Sequence, residues 1–110
     1  MASLYKVLGQ ARPTDSNVAD LYTVPAGGQV VVSTIIIANT TAVDATYDLY
    51  VRPDAATADQ GTAVAFGSTV KANTSTSITI GATADAADVI SVKSTTASAL
   101  TFTAFGLEIS

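Results

Sequence analysis

Apolar and polar residues alternate with a period of two along most of this chain. Over 46–52, Tyr47, Leu49 and Val51 fall on one face, and Thr46, Asp48, Tyr50 and Arg52 fall on the other. Ile90 and Val92 oppose Ser91 and Lys93; Val64, Phe66 and Val70 share a face, as do Ile78 and Ile80. Turn-forming residues punctuate the runs: Pro13-Thr14-Asp15, Pro25-Ala26-Gly27-Gly28, Asn39-Thr40-Thr41, Pro53-Asp54 and Ala72-Asn73. Helical periodicity is almost absent. The pattern predicts eight strands, near residues 4–10, 19–24, 29–38, 45–52, 62–70, 75–81, 88–95 and 99–109. The Ala/Thr/Asp stretches at 54–63 and 82–88 read as loops, and no linker divides the chain. The expected fold is all-β: one antiparallel β-sandwich of about eight strands over 1–110, jelly-roll-like by strand number. An immunoglobulin-like strand order stays open, because sequence does not fix the order.

A strand in a two-layer sandwich has one face in the core and one in water, so it should be apolar on one side only. Two segments break that rule. Strict alternation over 29–38 puts Val30, Val32 and Ile36 on one face and Val31, Ile35 and Ile37 on the other. In the last strand Leu100 and Phe102 share a face, while Phe105, Leu107 and Ile109 take the opposite one. Two explanations stand side by side. Either a covering loop, or a bulge near Ala104, accounts for the surplus, or it meets another subunit. The second reading makes Val31, Ile35, Ile37, Phe105, Leu107 and Ile109 candidate interface residues. Leu4 joins them, because the stretch Leu4 to Leu8 could extend onto a neighbour as an added edge strand.

Composition narrows the chemistry. The 110 residues include 20 Ala and 27 Ser or Thr, and charged residues are 13%, about half the usual share. With no Cys and no His, the chain lacks thiol chemistry, the commonest general base and the commonest transition-metal ligand. A net charge of −4 opposes binding to nucleic acid. No apolar run reaches the ~18 residues of a membrane helix, and the first residues lack a basic-then-apolar leader. Ser and Thr have no His to activate them, so no enzyme, cofactor or catalytic residue is expected. Asp54 with Asp59, and Asp85 with Asp88, could offer oxygen ligands to Ca²⁺. Neither pair has the dense alternating carboxylates of a dedicated site, and no metal is expected. Of the four tyrosines, Tyr47 alternates with core residues, whereas Tyr50 is expected to face outward beside Asp48 and Arg52, where a sugar could stack.

Several stretches resemble a group of small structural proteins of tailed bacteriophages. They are Leu8-Gly9-Gln10-Ala11-Arg12-Pro13, Ala19-Asp20-Leu21-Tyr22-Thr23-Val24-Pro25-Ala26-Gly27, Val31-Val32-Ser33-Thr34-Ile35 with Ala38-Asn39, and Tyr50-Val51-Arg52-Pro53. The ending Phe102-Thr103-Ala104-Phe105-Gly106-Leu107-Glu108-Ile109 is similar too. The likeness spans most of the chain and is least constrained at 54–63. It implies a virion structural protein, most readily a capsid decoration (cement) protein that bridges neighbouring subunits of the major capsid protein. It further implies self-association, commonly as a homotrimer, and a place on the capsid surface after assembly in the host cytoplasm. A tail-fibre or baseplate module is the nearest alternative, and a carbohydrate-binding adhesion module is a third reading. No catalytic residue is carried over from the family.

Overall fold

All eight predicted segments are strands in the computed structural model, which describes residues 3–109. They are β1 (Ser3–Ala11), β2 (Ala19–Thr23), β3 (Gln29–Asn39), β4 (Ala45–Arg52), β5 (Ala63–Val70), β6 (Ser75–Asp85), β7 (Val89–Ser94) and β8 (Leu100–Ile109). A single 3₁₀ turn, Pro53–Ala55, follows β4. β6 runs through 82–85, a stretch that reads as loop by composition. There Ala82 and Ala84 continue the inward series begun by Ile78 and Ile80, and Thr83 and Asp85 stay in solvent.

The strands form two antiparallel four-stranded sheets, in the orders β1-β8-β3-β6 and β2-β7-β4-β5. Each sheet alternates early and late strands, so the chain crosses between sheets at nearly every turn. This is the eight-stranded jelly roll. Ile35, Ile37, Leu49, Ile90, Val92, Leu100 and Phe102 fill the space between the sheets. The Tyr47 and Phe102 rings meet edge to face, with centroids 6.0 Å apart.

Bulges decide which side chains reach that core. β8 alternates without interruption, and each of its neighbours carries one extra residue at the same level. Leu8 is the extra residue in β1, between Val7 (opposite Phe105) and Gly9 (opposite Ala104). Ser33 is the extra residue in β3, between Val32 (opposite Gly106) and Thr34 (opposite Phe105). An inserted residue reverses the facing of everything beyond it. Val30 and Val32 point inward before the bulge, and Ile35 and Ile37 point inward after it. Strict alternation had put Ile36 with Val30 and Val32; in the structure it is on the outer side and exposed. The anticipated bulge near Ala104 is therefore in the two flanking strands and not in β8. Gly106 makes room for it: a Cβ there would lie 2.0 Å from the Val31 carbonyl oxygen and 2.9 Å from Leu8 Cδ1.

A bulge likewise corrects β5. Gly67, with φ of +64°, separates outward Val64 and Phe66 from inward, buried Val70, so the three do not share a face. The sheets approach backbone to backbone at the β1/β2 edge, where a Cβ on Gly9 would sit 2.2 Å from the Leu21 carbonyl oxygen.

Candidate functional site: the outer face of the β1-β8-β3-β6 sheet

Each sheet has an outer face, and the described residues cover only one of them. On the β2-β7-β4-β5 sheet, Asp48, Tyr50, Val89 and Ser91 point away from the core, yet all four are buried. The segment after β4 folds back along this side and is held there by Arg52. Its guanidinium donates to the carbonyls of Ala56 (2.6 Å) and Ala55 (3.3 Å), to the Ser91 hydroxyl (3.0 Å) and to the Asp20 carboxylate (3.1 Å). Asp88 accepts the amide protons of Asp54 and Asp85, each at 2.9 Å, and these two bonds hold its carboxyl below the usual range. Asp59 likewise accepts from the Gly61 amide within its own loop. The carboxylates of Asp59, Asp85 and Asp88 thus fasten loops, Asp54 takes part through its amide, and among the described residues no three Asp, Glu, His or Cys side chains gather as a metal site.

Tyr50 is the tyrosine that sequence placed at the surface, and the structure corrects this. It is buried, and its hydroxyl donates to Asp48 at 3.0 Å. Burial, then the bond to Asp48, raises its pKa. A ring enclosed by its own chain offers no stacking face to a sugar.

Among the described residues, nothing covers the outer face of the other sheet in this way. In-register pairs place Tyr5, Leu107 and Val31 in one row across three strands, and Val7, Phe105 and Thr34 in the next. Ile36 and Thr103 extend it towards one end, Gln29 and Ile109 towards the other. Tyr5 is 87% exposed, and Val7 and Ile36 are exposed too. Val31, Phe105, Leu107 and Ile109 are half-buried. The β6 margin of the face is a row of exposed hydroxyls, Ser75, Ser77, Thr79 and Thr83. Among the described residues the charged side chain on this face is Asp85, at its rim. The surface is grooved along the bulge line, where Tyr5, Lys6, Val7, Ser33 and Phe105 border a shallow depression of about 360 Å³.

The seven candidate interface residues therefore separate. Val31, Phe105, Leu107 and Ile109 lie together on this face. Ile35 and Ile37 do not: both are 0% exposed core residues, because the Ser33 bulge turns them inward. Leu4 is exposed but shares the side of Glu108, at the open edge of the sandwich. Tyr5 and Val7 fall within the Leu4 to Leu8 stretch expected to add onto a neighbour, but sequence reasoning did not place them on this face, and the unseen bulge assigned Ile36 to the wrong side. A smaller exposed apolar spot, Val64 and Phe66, sits on the edge strand of the opposite sheet. No protein-family model matches the chain, and no curated protein matches it.

Proposed function

We propose that this chain is a structural protein of a tailed-phage virion, a capsid decoration protein that binds the shell and bridges neighbouring subunits of the major capsid protein. One observation carries the reading: a sheet face of Tyr5, Val7, Val31, Ile36, Phe105 and Leu107, left uncovered and nearly free of charge by a chain that covers its other sheet itself. Contiguous apolar surface of this kind marks an interaction site, and depletion of charge is the signature of an interface core. The resemblance of the sequence segments to small phage structural proteins supports the same assignment. The jelly roll, an architecture common among capsid and lectin domains, is compatible with it.

The mechanism follows from rigidity. A jelly roll with a close-packed core acts as a stiff body, so contacts made to two or three capsid subunits break together or not at all. Once the first contact forms, the others are effectively intramolecular, and modest contacts sum to firm attachment. A footprint near 800 Å² per partner suffices for a specific interface. A seam bridged in this way resists pressure from packaged DNA.

The test is to locate the chain in the virion and count it. Hundreds of copies on the shell would support the reading. A few dozen copies at the tail would transfer the chain to the fibre or baseplate class, and its absence from particles would overturn the assignment. Val31→Asp and Leu107→Asp place a charge at the centre of the face without touching the core. Both should fold normally and lose at least tenfold in affinity for stripped capsids. Affinity for purified glycans with none for capsids would favour an adhesion module.

A further inference from the structure

We propose that β1 is a self-pairing edge: two copies of this chain join antiparallel through residues 3–7, with Tyr5 opposite Tyr5, and merge their β1-β8-β3-β6 sheets into one of eight strands. The inference rests on the unpaired backbone of an edge strand and is separate from capsid binding.

A jelly roll has four edges, β1, β6, β2 and β5. An edge presents unpaired N–H and C=O groups and is normally blunted by shortness, bulges or charge. β2 is five residues long, and its register slips between Asp20 and Tyr22. β5 is bent at Gly67 and breaks register twice against β4. β6 is interrupted at Gly81, with φ of +55°, and its unbroken stretch 75–79 exposes Ser75, Ser77 and Thr79, which are polar. In β1 the irregularity lies at Leu8, which leaves residues 3–7 in unbroken register with β8, from Ser3 opposite Ile109 to Val7 opposite Phe105. Along that stretch Leu4, Tyr5 and Val7 are 58%, 87% and 49% exposed, so the edge is apolar on both of its sides. Lys6, the residue that would ordinarily guard such an edge, is held by Glu108 of its own chain at 3.0 Å.

The occupant must be a strand whose flanking face is as uncharged as this one, and a second copy meets that condition. Two-fold pairing about an axis normal to the sheet sets outward residues against outward residues. The two apolar faces then become continuous, with no charge on that side of the junction, since Lys6 points to the opposite side, towards Glu108. Keeping the faces matched restricts the centre of symmetry to a residue of the strand. Centring on Lys6 would set like charges directly opposite, which is destabilising. Centring on Leu4 shortens the paired stretch. Centring on Tyr5 pairs all five residues and sets Lys6 against Leu4. Five paired residues span only about 17 Å, and a strip of that length buries less than the ~800 Å² per partner of a stable complex. The dimer is accordingly weak when free, on the order of 100 μM, and is reinforced where copies are held side by side on a common support.

The chain has no cysteine, so a single introduced thiol reports the pairing directly. Residues opposite one another in an antiparallel pair have Cα atoms about 4.5–5.5 Å apart, within disulfide reach. Tyr5→Cys should therefore cross-link under mild oxidation at least tenfold faster than Val7→Cys, whose thiols would be about 14 Å apart along the ladder. It should also outpace Phe66→Cys, which is likewise exposed on another edge strand, by more than the difference in exposure, 87% against 58%, accounts for. In sedimentation the unmodified protein should show a concentration-dependent dimer that Tyr5→Lys abolishes without lowering the unfolding midpoint. Several results would overturn the pairing: a monomer up to about 1 mM, trimers with slow Tyr5→Cys cross-linking, or equal rates for Phe66→Cys and Tyr5→Cys. Faster linkage through Val7→Cys would overturn the register centred on Tyr5. Because every readout uses purified protein, failure here leaves the location and count in virions unaffected.

Discussion

The Tyr22 hydroxyl, on β2 of one sheet, donates to the Glu108 carboxylate, on β8 of the other. Lys6 on β1 completes the arrangement with its ammonium 3.0 Å from the second carboxylate oxygen. Three strands and both sheets are thus tied at the edge where the sandwich is open and Leu4 is exposed. Tyr22→Phe removes the bond and keeps the ring. The expected result is a folded protein whose thermal midpoint is a few degrees lower, measured by circular dichroism, with faster amide exchange in β2 than in β4.

That bond also sets two pH limits. The hydrogen bonds from Tyr22 and Lys6 lower the pKa of Glu108 in the folded state. Its contribution is therefore complete above the unfolded carboxylate value of about 4.3 and is lost as pH falls through the folded value. Burial, then the bond to Glu108, raises the pKa of Tyr22. That contribution is complete below about 10 and is lost as pH rises beyond it. A plot of midpoint against pH should fall off at both ends, and Tyr22→Phe should make both limbs shallower, leaving the shares of Lys6 with Glu108 and of Asp88 in acid and of Tyr50 in base.

Asp48 is buried on the covered side of the β2-β7-β4-β5 sheet and accepts from the Tyr50 hydroxyl at 3.0 Å and the Gly67 amide at 2.8 Å. It therefore pins the β5 bulge to β4. Asp48→Ala would strand both donors, at a cost of about 2–3 kcal/mol. Asp48→Asn keeps an acceptor and should lose less than half as much in urea unfolding.

Ile35 and Ile36 are adjacent in sequence and opposite in environment. Ile35→Ala should cost about 2–5 kcal/mol by leaving a cavity in the core. Ile36→Ala, on the open face, should stay within about 0.5 kcal/mol. Equal losses would contradict the Ser33 bulge.

Gly106→Ala would press a methyl group onto the Val31 carbonyl oxygen. β3 or β8 would have to shift, costing about 1–3 kcal/mol or more. A variant with an unchanged midpoint would show that the close approach is absent.

Period-two alternation, β-branched runs and turn residues were enough to place all eight strands and to identify a sandwich, because both signals are local: a pleat alternates every residue, and Gly, Pro, Asn and Asp break it where they stand. The surplus of apolar residues in β3 and β8 was legible for the same reason, and four of its members, Val31, Phe105, Leu107 and Ile109, do lie on an outer face. Only the tertiary structure decided that Ile35 and Ile37 belong to the core, because one extra residue at Ser33 reverses every side chain after it and carries no mark in the sequence. The covering of Tyr50 was likewise hidden, since it depends on the segment from Arg52 onward being fastened across the sheet to residues far away in sequence, Asp20, Asp88 and Ser91. Local geometry is encoded residue by residue, whereas register and cover arise between segments far apart in the chain, and they settle which apolar side chains remain for a partner.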